Sequence, residues 1–407
     1  MFLTIHRGAR QIGGSCVELA TDTTRLLMDV GQPLTAASDG LVARVCSVQP
    51  SVSAVLLSHA HGDHTGLLGE VPSGVPFFLS KGTSNMMLLG GCYAGQVEIK
   101  RGRQKTFDCG TPFRVGDFTV TAHAVDHSAY GSVAFMVESG GRRLLYSGDL
   151  RMHGRKPGMM RSLVRAARAQ PLDALVMEGT HFSSGRKAGV SEETLEDEIH
   201  SDIKDAPGLV WAAFSPMHVD RLVTFYKATR RAGRTLVLDH YGASVLRFIS
   251  GECKVPLPTP RNGIRVFFPS RRKVIARLEA PLQGAAINRD KILSAPQHFV
   301  MLFRPSMLDG DFSGQPPDQV CCIYSYWSGY LEKPEWSAVR DRITAAGGKF
   351  IQRHASGHIY APDLIKLVRE INPRRVIPIH TERPDEFRRH FSNALLLADG
   401  ERHEVGK

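Results

Sequence analysis

Ala54-Val55-Leu56-Leu57-Ser58 is a continuous apolar run, and it stops at His59-Ala60-His61-Gly62-Asp63-His64. A short apolar run without alternation reads as a strand buried on both faces. The turn at the end of that strand packs three histidines and an aspartate into six residues. Imidazole suits zinc and a carboxylate suits a second divalent site, so side chains fanned from one turn can converge on two metal ions. A His-x-His pair alone is weak, because alternate residues on a strand produce it by chance. Adding Asp63-His64 makes the pattern specific.

The rest of the first half has the same style. Ser15 to Thr21 and Arg25 to Asp29 suggest a hairpin around Asp22-Thr23-Thr24. Further apolar runs lie at Pro76 to Leu79, Val133 to Val137, Leu144 to Ser147 and Ala174 to Met177. Helical patterns, such as Asn85 to Leu89 and Met159 to Ala169, fall between some of them. This is a layered α/β domain. The middle alternates differently. A capped, acidic helix start at Ser191 leads to a strand (Leu209 to Phe214), a helix (Val219 to Ala232), a strand (Thr235 to Asp239) and a helix (Ala243 to Ile249). That order predicts a parallel sheet of its own, with a loop at Pro256 to Pro260. Near the end, helix Ala361 to Ile371 runs through Asn372-Pro373 into strand Val376 to Ile379, which stops at His380.

Charge supplies the second hint. The chain of 407 residues carries a net +11, and the stretch from Arg221 to Lys291, with 15 basic and 4 acidic residues, accounts for all of it. One region is built to meet a polyanion, of which a nucleic-acid backbone is the usual one; a basic face that merely aids solubility is the bland alternative. No stretch approaches about 18 consecutive apolar residues, so no membrane span is expected. Met1 to Arg7 lacks an apolar run ending at a small-residue cleavage site, so no secretory leader is expected. The seven cysteines form no C-x-x-C pair, which fits a reducing cytoplasm, and Cys321-Cys322 reads as buried thiols.

The His-x-His-x-Asp-His run resembles the signature of the metallo-β-lactamase superfamily. The resemblance implies further ligands in order along the chain. His127, in Asp126-His127-Ser128-Ala129-Tyr130-Gly131, matches the next histidine, with His123 as a competitor. Asp149, in Tyr146-Ser147-Gly148-Asp149, matches a bridging aspartate, and His380 matches the last histidine. Asp29 matches an early aspartate that supports the site from behind. Singly, Asp149 reads as a turn residue and His380 as an exposed cap; their order and strand-end positions strengthen one another. By analogy one cation takes His59, His61 and His127. The other takes Asp63, His64 and His380. Asp149 and a hydroxide bridge them. Zn2+ is the expected ion, with Mn2+ the alternative.

Between Asp149 and His380 the chain is far longer than a small-molecule hydrolase of this fold needs, and the basic stretch lies inside. This is similar to the β-CASP subgroup of nucleases and to the catalytic core of ribonuclease J. The implied fold is an α/β metallo-β-lactamase αββα sandwich over 1–181 and 349–407, interrupted by a β-CASP domain over 182–348. Glu178 in Met177-Glu178-Gly179-Thr180 matches the subgroup's acidic motif. His358 in His354-Ala355-Ser356-Gly357-His358 matches its second. His380 at the third is the form associated with RNA-processing members, whereas DNA-repair members typically carry Val. The resemblance departs at Thr381-Glu382, where Gly-Glu is usual, and after His380, where ribonuclease J carries a further domain.

The expected activity is metal-dependent hydrolysis of single-stranded RNA, leaving 5′-phosphate ends. Asp63, itself a ligand, Glu178 and His358 are its catalytic residues. Ser356, Arg221 and Ser215 are candidates for holding phosphate; a helix-surface arginine and a cap serine are the ordinary readings of the latter two. Tyr326 and Trp327 fit interdomain packing better than base stacking. The expected partners are RNA, with DNA as the rival substrate, and a second copy of the chain, with no membrane. Two other classes stay in view: a small-molecule metallo-hydrolase such as a thioesterase, and a non-catalytic RNA-binding subunit. Inactive copies lose ligands, and all seven are present here.

Overall fold

The computed structural model describes residues 1–34, 38–183 and 189–407. It divides into two compact units: Met1–Gly91 with Gly95–Gly189 and Gly357–Lys407, and Cys92–Ala94 with Val190–Ser356.

The first unit holds two sheets among the described residues. One runs Arg402–Glu404, Phe2–Arg7, Cys16–Ala20, Arg25–Met28, Ala54–Leu56, Phe77–Ser80, Gln104–Phe107. The other runs Arg375–Ile379, Ala174–Glu178, Arg142–Tyr146, Val133–Ser139, Phe118–Ala124, Phe113–Val115. Side chains on a strand alternate between faces, and the second sheet uses both faces for burial. Phe135, Val137, Leu144, Tyr146, Val176 and Ile377 join Leu3, Val17, Leu26 and Leu56 in the core between the sheets. The intervening Met136, Leu145, Leu175 and Val376 pack outward, against helices Pro157–Arg168 and Ala361–Ile371. Leu364, Leu367, Val368 and Ile371 give the second helix its apolar stripe at the 3, 4, 7 spacing.

This topology explains where chemistry collects. Ala54–Leu56 runs parallel to Arg25–Met28. Arg142–Tyr146, Ala174–Glu178 and Arg375–Ile379 are parallel to one another. Their C-terminal ends deliver Asp29, His59, Asp149, Glu178 and His380 to the same end of the two sheets.

The second unit is a parallel sheet in the order Ile264–Phe267, Thr235–Asp239, Phe299–Leu302, Val210–Ala213, Cys321–Tyr324, Lys349–Gln352. Helix Glu192–Asp205 begins as its sequence suggests, with the Ser191 side chain accepting from Thr194 N. The unit starts and ends later than the 182–348 read from sequence. Strand Lys349–Gln352 completes its sheet by pairing with Cys321–Tyr324, so the chain cannot leave it at 348. Residues 182 and 183 continue a short helix, Thr180–Ser183, of the first unit. All seven cysteines are free, and burial raises the Cys321 thiol to about 11. No helix of the described residues is long and apolar enough to cross a membrane.

Candidate metal centre

The His59–His64 turn is fixed by backbone before any side chain acts. Ser15 N donates to Asp63 O (3.0 Å), Val30 N to His64 O (2.9 Å) and Gln32 N to Gly62 O (3.0 Å). The approach is so close that a Cβ on Gly31 would lie 1.7 Å from Asp63 O, so that position admits only glycine. Two residues of the site, Asp29 (φ 60°) and His380 (φ 53°), sit in the left-handed region that side chains rarely adopt. Strain of this kind clusters at functional sites.

The fold brings every expected ligand together. Ligand atoms of His59, His61 and His127 lie within 4.8 Å of one another, as do those of Asp63, His64, Asp149 and His380. Asp149 is the hub. Its Oδ2 stands 3.1 Å from His64 Nε2, 3.8 Å from His59 Nε2, 3.8 Å from His380 Nε2 and 3.9 Å from His127 Nε2. His123 belongs to strand Phe118–Ala124 and joins none of these groups.

The outer nitrogens of these rings are engaged from behind. His64 Nδ1 meets Asp29 Oδ2 at 2.8 Å, and His59 Nδ1 meets Ser58 Oγ at 3.0 Å. His127 Nδ1 meets Gly357 O at 2.6 Å, and His380 Nδ1 meets Thr180 Oγ1 at 2.9 Å. Asp29 in turn accepts from Ser58 N (2.8 Å), Ser58 Oγ (2.7 Å) and Tyr146 Oη (2.8 Å). Such partners fix ring orientation and present the opposite nitrogen to a metal. Ser58, Tyr146 and Thr180 escaped the sequence reading, since nothing local marks them.

The inner atoms pass a direct test of fit. His59 Nε2, His64 Nε2 and both Asp149 oxygens are buried without a hydrogen-bond partner. Orphaned buried polar atoms are costly, and four converging on one point fit a cation. Electrostatics agrees at the position of His59, His61 and His127. Burial and adjacent imidazoles hold His59 and His127 well below the usual histidine range, and burial lowers His61, which keeps all three neutral as ligands must be. Burial would also depress His64, but Asp149, Asp29 and Asp63 outweigh it and raise it. Burial would raise Asp149, but His380, His64 and His358 hold it well below the usual carboxylate range.

The family described as "Beta-lactamase superfamily domain" matches residues 25–224, and "Zn-dependent metallo-hydrolase RNA specificity domain" matches residues 350–395. The chain carries the β-CASP form of the metallo-β-lactamase fold. Among curated relatives, an RNase J-like protein of Methanocaldococcus jannaschii is 27% identical over 221 residues, covering 50% of this chain and 48% of its own. Ribonuclease J of Sinorhizobium meliloti is 26% identical over 373 residues, covering 84% of this chain and 60% of its own. The chain thus spans about half to three fifths of these relatives. A crystal structure of a protein of unknown function from Enterococcus faecalis V583 superposes with a TM-score of 0.81 at 22% identity, covering 99% of both chains.

In this β-CASP form Glu178 and His358 stand at the same centre. Atoms of Asp149, Glu178, His358 and His380 also lie within 4.8 Å of one another. His358 Nδ1 is 3.2 Å from Glu178 Oε1, 3.2 Å from Thr180 Oγ1 and 3.7 Å from Asp149 Oδ2. Burial opposes a charge on this ring, but Glu178 and Asp149 outweigh it and raise His358 to about 9. Glu178 is fixed by Leu150 N, which donates to Oε1 at 3.0 Å.

The phosphate candidates fare differently. Arg221 is fully buried, and all five of its N–H groups are spent. They go to Glu192 Oε2 (3.3 Å) and Oε1 (2.9 Å), Ser325 O (2.8 Å) and Oγ (2.6 Å), and Ala355 O (2.9 Å). It ties strands and helices of the second unit together and has no donor left for phosphate, which corrects the sequence expectation. Ser215 is half-buried in the turn after strand Val210–Ala213, and Ser356 is buried; both belong to the second unit. Trp327 is exposed, while Tyr326 packs within 5.8 Å of Trp336 inside that unit.

Proposed function

We propose that this protein hydrolyses phosphodiester bonds of single-stranded RNA and leaves 5′-phosphate ends. The observation that carries the reading is the Asp149 carboxylate, buried with both oxygens unpartnered amid inward-facing imidazole nitrogens. The donor set of five histidines and two aspartates accepts zinc or manganese. Two such cations would supply a lowered pKa for water and neutralise charge on the phosphoryl oxygens.

The chain's own residues supply the rest. His59, His61 and His127 hold one position, and Asp63, His64 and His380 the other, with Asp149 shared. Glu178 orients His358 through Nδ1, and His358 donates to the leaving oxygen. Asp29, Ser58 and Thr180 keep the rings aimed. The names of the relatives, the RNA-specificity match and the basic stretch 221–291 support RNA as the substrate. Ser215 and Ser356 stay proposed phosphate contacts. The unpaired cysteines support a reducing, cytoplasmic setting, and a homodimer is the proposed assembly.

The deciding experiment incubates metal-loaded protein with internally labelled, 5′-monophosphorylated single-stranded RNA. A His59→Ala, His61→Ala protein and DNA of the same sequence run alongside. Mononucleotides lost in the variant mean a 5′-exonuclease, and discrete longer fragments an endonuclease. Cleavage of DNA alone overturns the RNA assignment. No cleavage of either overturns the nuclease reading.

A further inference from the structure

With Arg221 spent on structure, the basic second unit needs another grip on its ligand. All strands of its sheet are parallel, so their C-terminal ends share one edge, where ligands of open α/β sheets bind. Strand Thr235–Asp239 ends there at Asp239, which caps helix His240–Ile249 by accepting from Gly242 N at 2.7 Å. Strand Phe299–Leu302 ends there too and leads into Arg304. Arg304 Nε donates to Asp239 Oδ2 at 2.6 Å, which anchors the guanidinium beside the helix start. Its Cζ lies 5.1 Å from the centre of the Tyr241 ring.

Three polar atoms at this edge are buried without a hydrogen-bond partner: Arg304 Nη2, Tyr241 Oη and His240 Nδ1. Tyr241 is 3% exposed and His240 6%. Buried donors are nearly always satisfied, so a group of orphans calls for a missing acceptor. Guanidinium N–H and phenol O–H both donate, and a charged acceptor oxygen suits them best. Tyr241 sits in the first turn of helix His240–Ile249, beside the Asp239 carboxylate that caps it. The loop after the neighbouring strand Ile264–Phe267 adds Arg271 and Lys273, and Arg277 comes soon after; all three are exposed and lack an ion pair among the described residues. Residues 268–277 carry four basic side chains and no acidic one, a composition suited to a polyanion.

We propose that Arg304 Nη2 and Tyr241 Oη form a niche for one backbone phosphate of single-stranded RNA, with Arg271, Lys273 and Arg277 holding its neighbours. The proposal rests on the RNA reading above and names the residues that grip the strand. Free phosphate shares the chemistry, so the test separates the two sources.

The test titrates fluorescent single-stranded RNA into full-length His59→Ala, His61→Ala protein, which leaves the strand uncut, over a series of salt concentrations. Tyr241→Phe removes one oxygen and no ion pair, so it is the deciding variant; thermal melting checks its fold. Arg304→Gln strips Asp239 of its partner and is read only if it melts cooperatively. Affinity falls about tenfold in either variant, and Arg304→Gln lowers the slope of log affinity against log salt by about one. Affinity unchanged within about twofold in Tyr241→Phe overturns the niche and leaves the nuclease reading standing. If the parent protein neither binds nor, with its histidines restored, cleaves RNA, the nuclease reading fails and inorganic phosphate decides. A phosphate-induced rise in melting temperature that Tyr241→Phe loses assigns the niche to free phosphate. An equal rise in both, or none, overturns it.

Discussion

Asp149 in the first unit and Glu192 in the second are equally hidden from water, yet the chain treats them in opposite ways. Glu192 accepts from Arg221 through Nε and Nη2 and from Thr224 Oγ1 at 2.9 Å. Asp149 accepts nothing, although several imidazole nitrogens stand within 4 Å of it. A buried charge whose donors and acceptors are all matched is scaffold. One whose orientation is enforced while its bonding is withheld is a site waiting for a ligand. The two carboxylates thus separate architecture from chemistry better than charge or burial alone.

That contrast breaks first, and hardest, at the orphaned side. His59→Ala or His64→Ala should lower RNA cleavage by about a thousandfold or more, since both cation positions depend on these rings. Bound zinc or manganese, counted by elemental analysis, should fall with it, while the circular dichroism spectrum holds. Full activity in either variant would sink the assignment. On the satisfied side, Arg221→Met takes from the buried Glu192 its guanidinium partner and leaves it the Thr224 hydroxyl. Unfolding by urea should show a loss of about 3–5 kcal/mol. The protein that stays folded should cleave RNA at the parent rate; a selective loss of RNA affinity would return Arg221 to the binding surface.

A third test asks whether matched burial behaves as scaffold elsewhere. Glu18 meets His6 Nε2 at 3.0 Å and Arg25 Nη2 at 2.7 Å. Burial alone would raise its carboxyl, but those partners lower it from 4.5 to about 2. A depressed carboxyl contributes stability above its unfolded pKa and loses it as pH falls through the folded one. The contribution, about 3 kcal/mol at neutral pH, should therefore vanish between about pH 4.5 and pH 2. Glu18→Gln should flatten that part of the stability profile, and an unchanged profile would remove Glu18 from the account. The smallest effect is expected at His358. His358→Gln should slow single-turnover cleavage by about ten- to a hundredfold with little change in RNA affinity. An equal loss in both would make it a binding group.

The ligands were readable because they terminate strands whose apolar runs are themselves readable. Ser58 precedes His59, Gly148 precedes Asp149 and Ile379 precedes His380, so each motif carries its own context. Helix Ala361–Ile371 and strand Thr235–Asp239 were visible for the same reason, through periodicity and a turn signal at each end. The supports were not readable. Tyr146 reaches Asp29 across 117 positions and Thr180 reaches His380 across 200, and no local pattern encodes such a meeting. Arg221 misled for a related reason. A count of basic residues does not distinguish a guanidinium facing water from one whose acceptors arrive from 29, 104 and 134 positions away. Strand Lys349–Gln352 was missed because Lys-Phe-Ile-Gln is too short and too exposed to show a pattern, and the domain limit moved with it.

The tight seating of Gly31 against Asp63 O carries one more consequence. The His59–His64 turn is shaped by main-chain bonds to Ser15, Val30 and Gln32, none of which involves a cation. An arriving ion therefore meets a rigid receptacle and pays no conformational entropy to assemble it. Chelation should strip the metals and leave amide protons of this turn as slow to exchange as before. The rate of reloading should track how fast the aqueous ion sheds its water, which differs between zinc and manganese, rather than how fast the chain refolds.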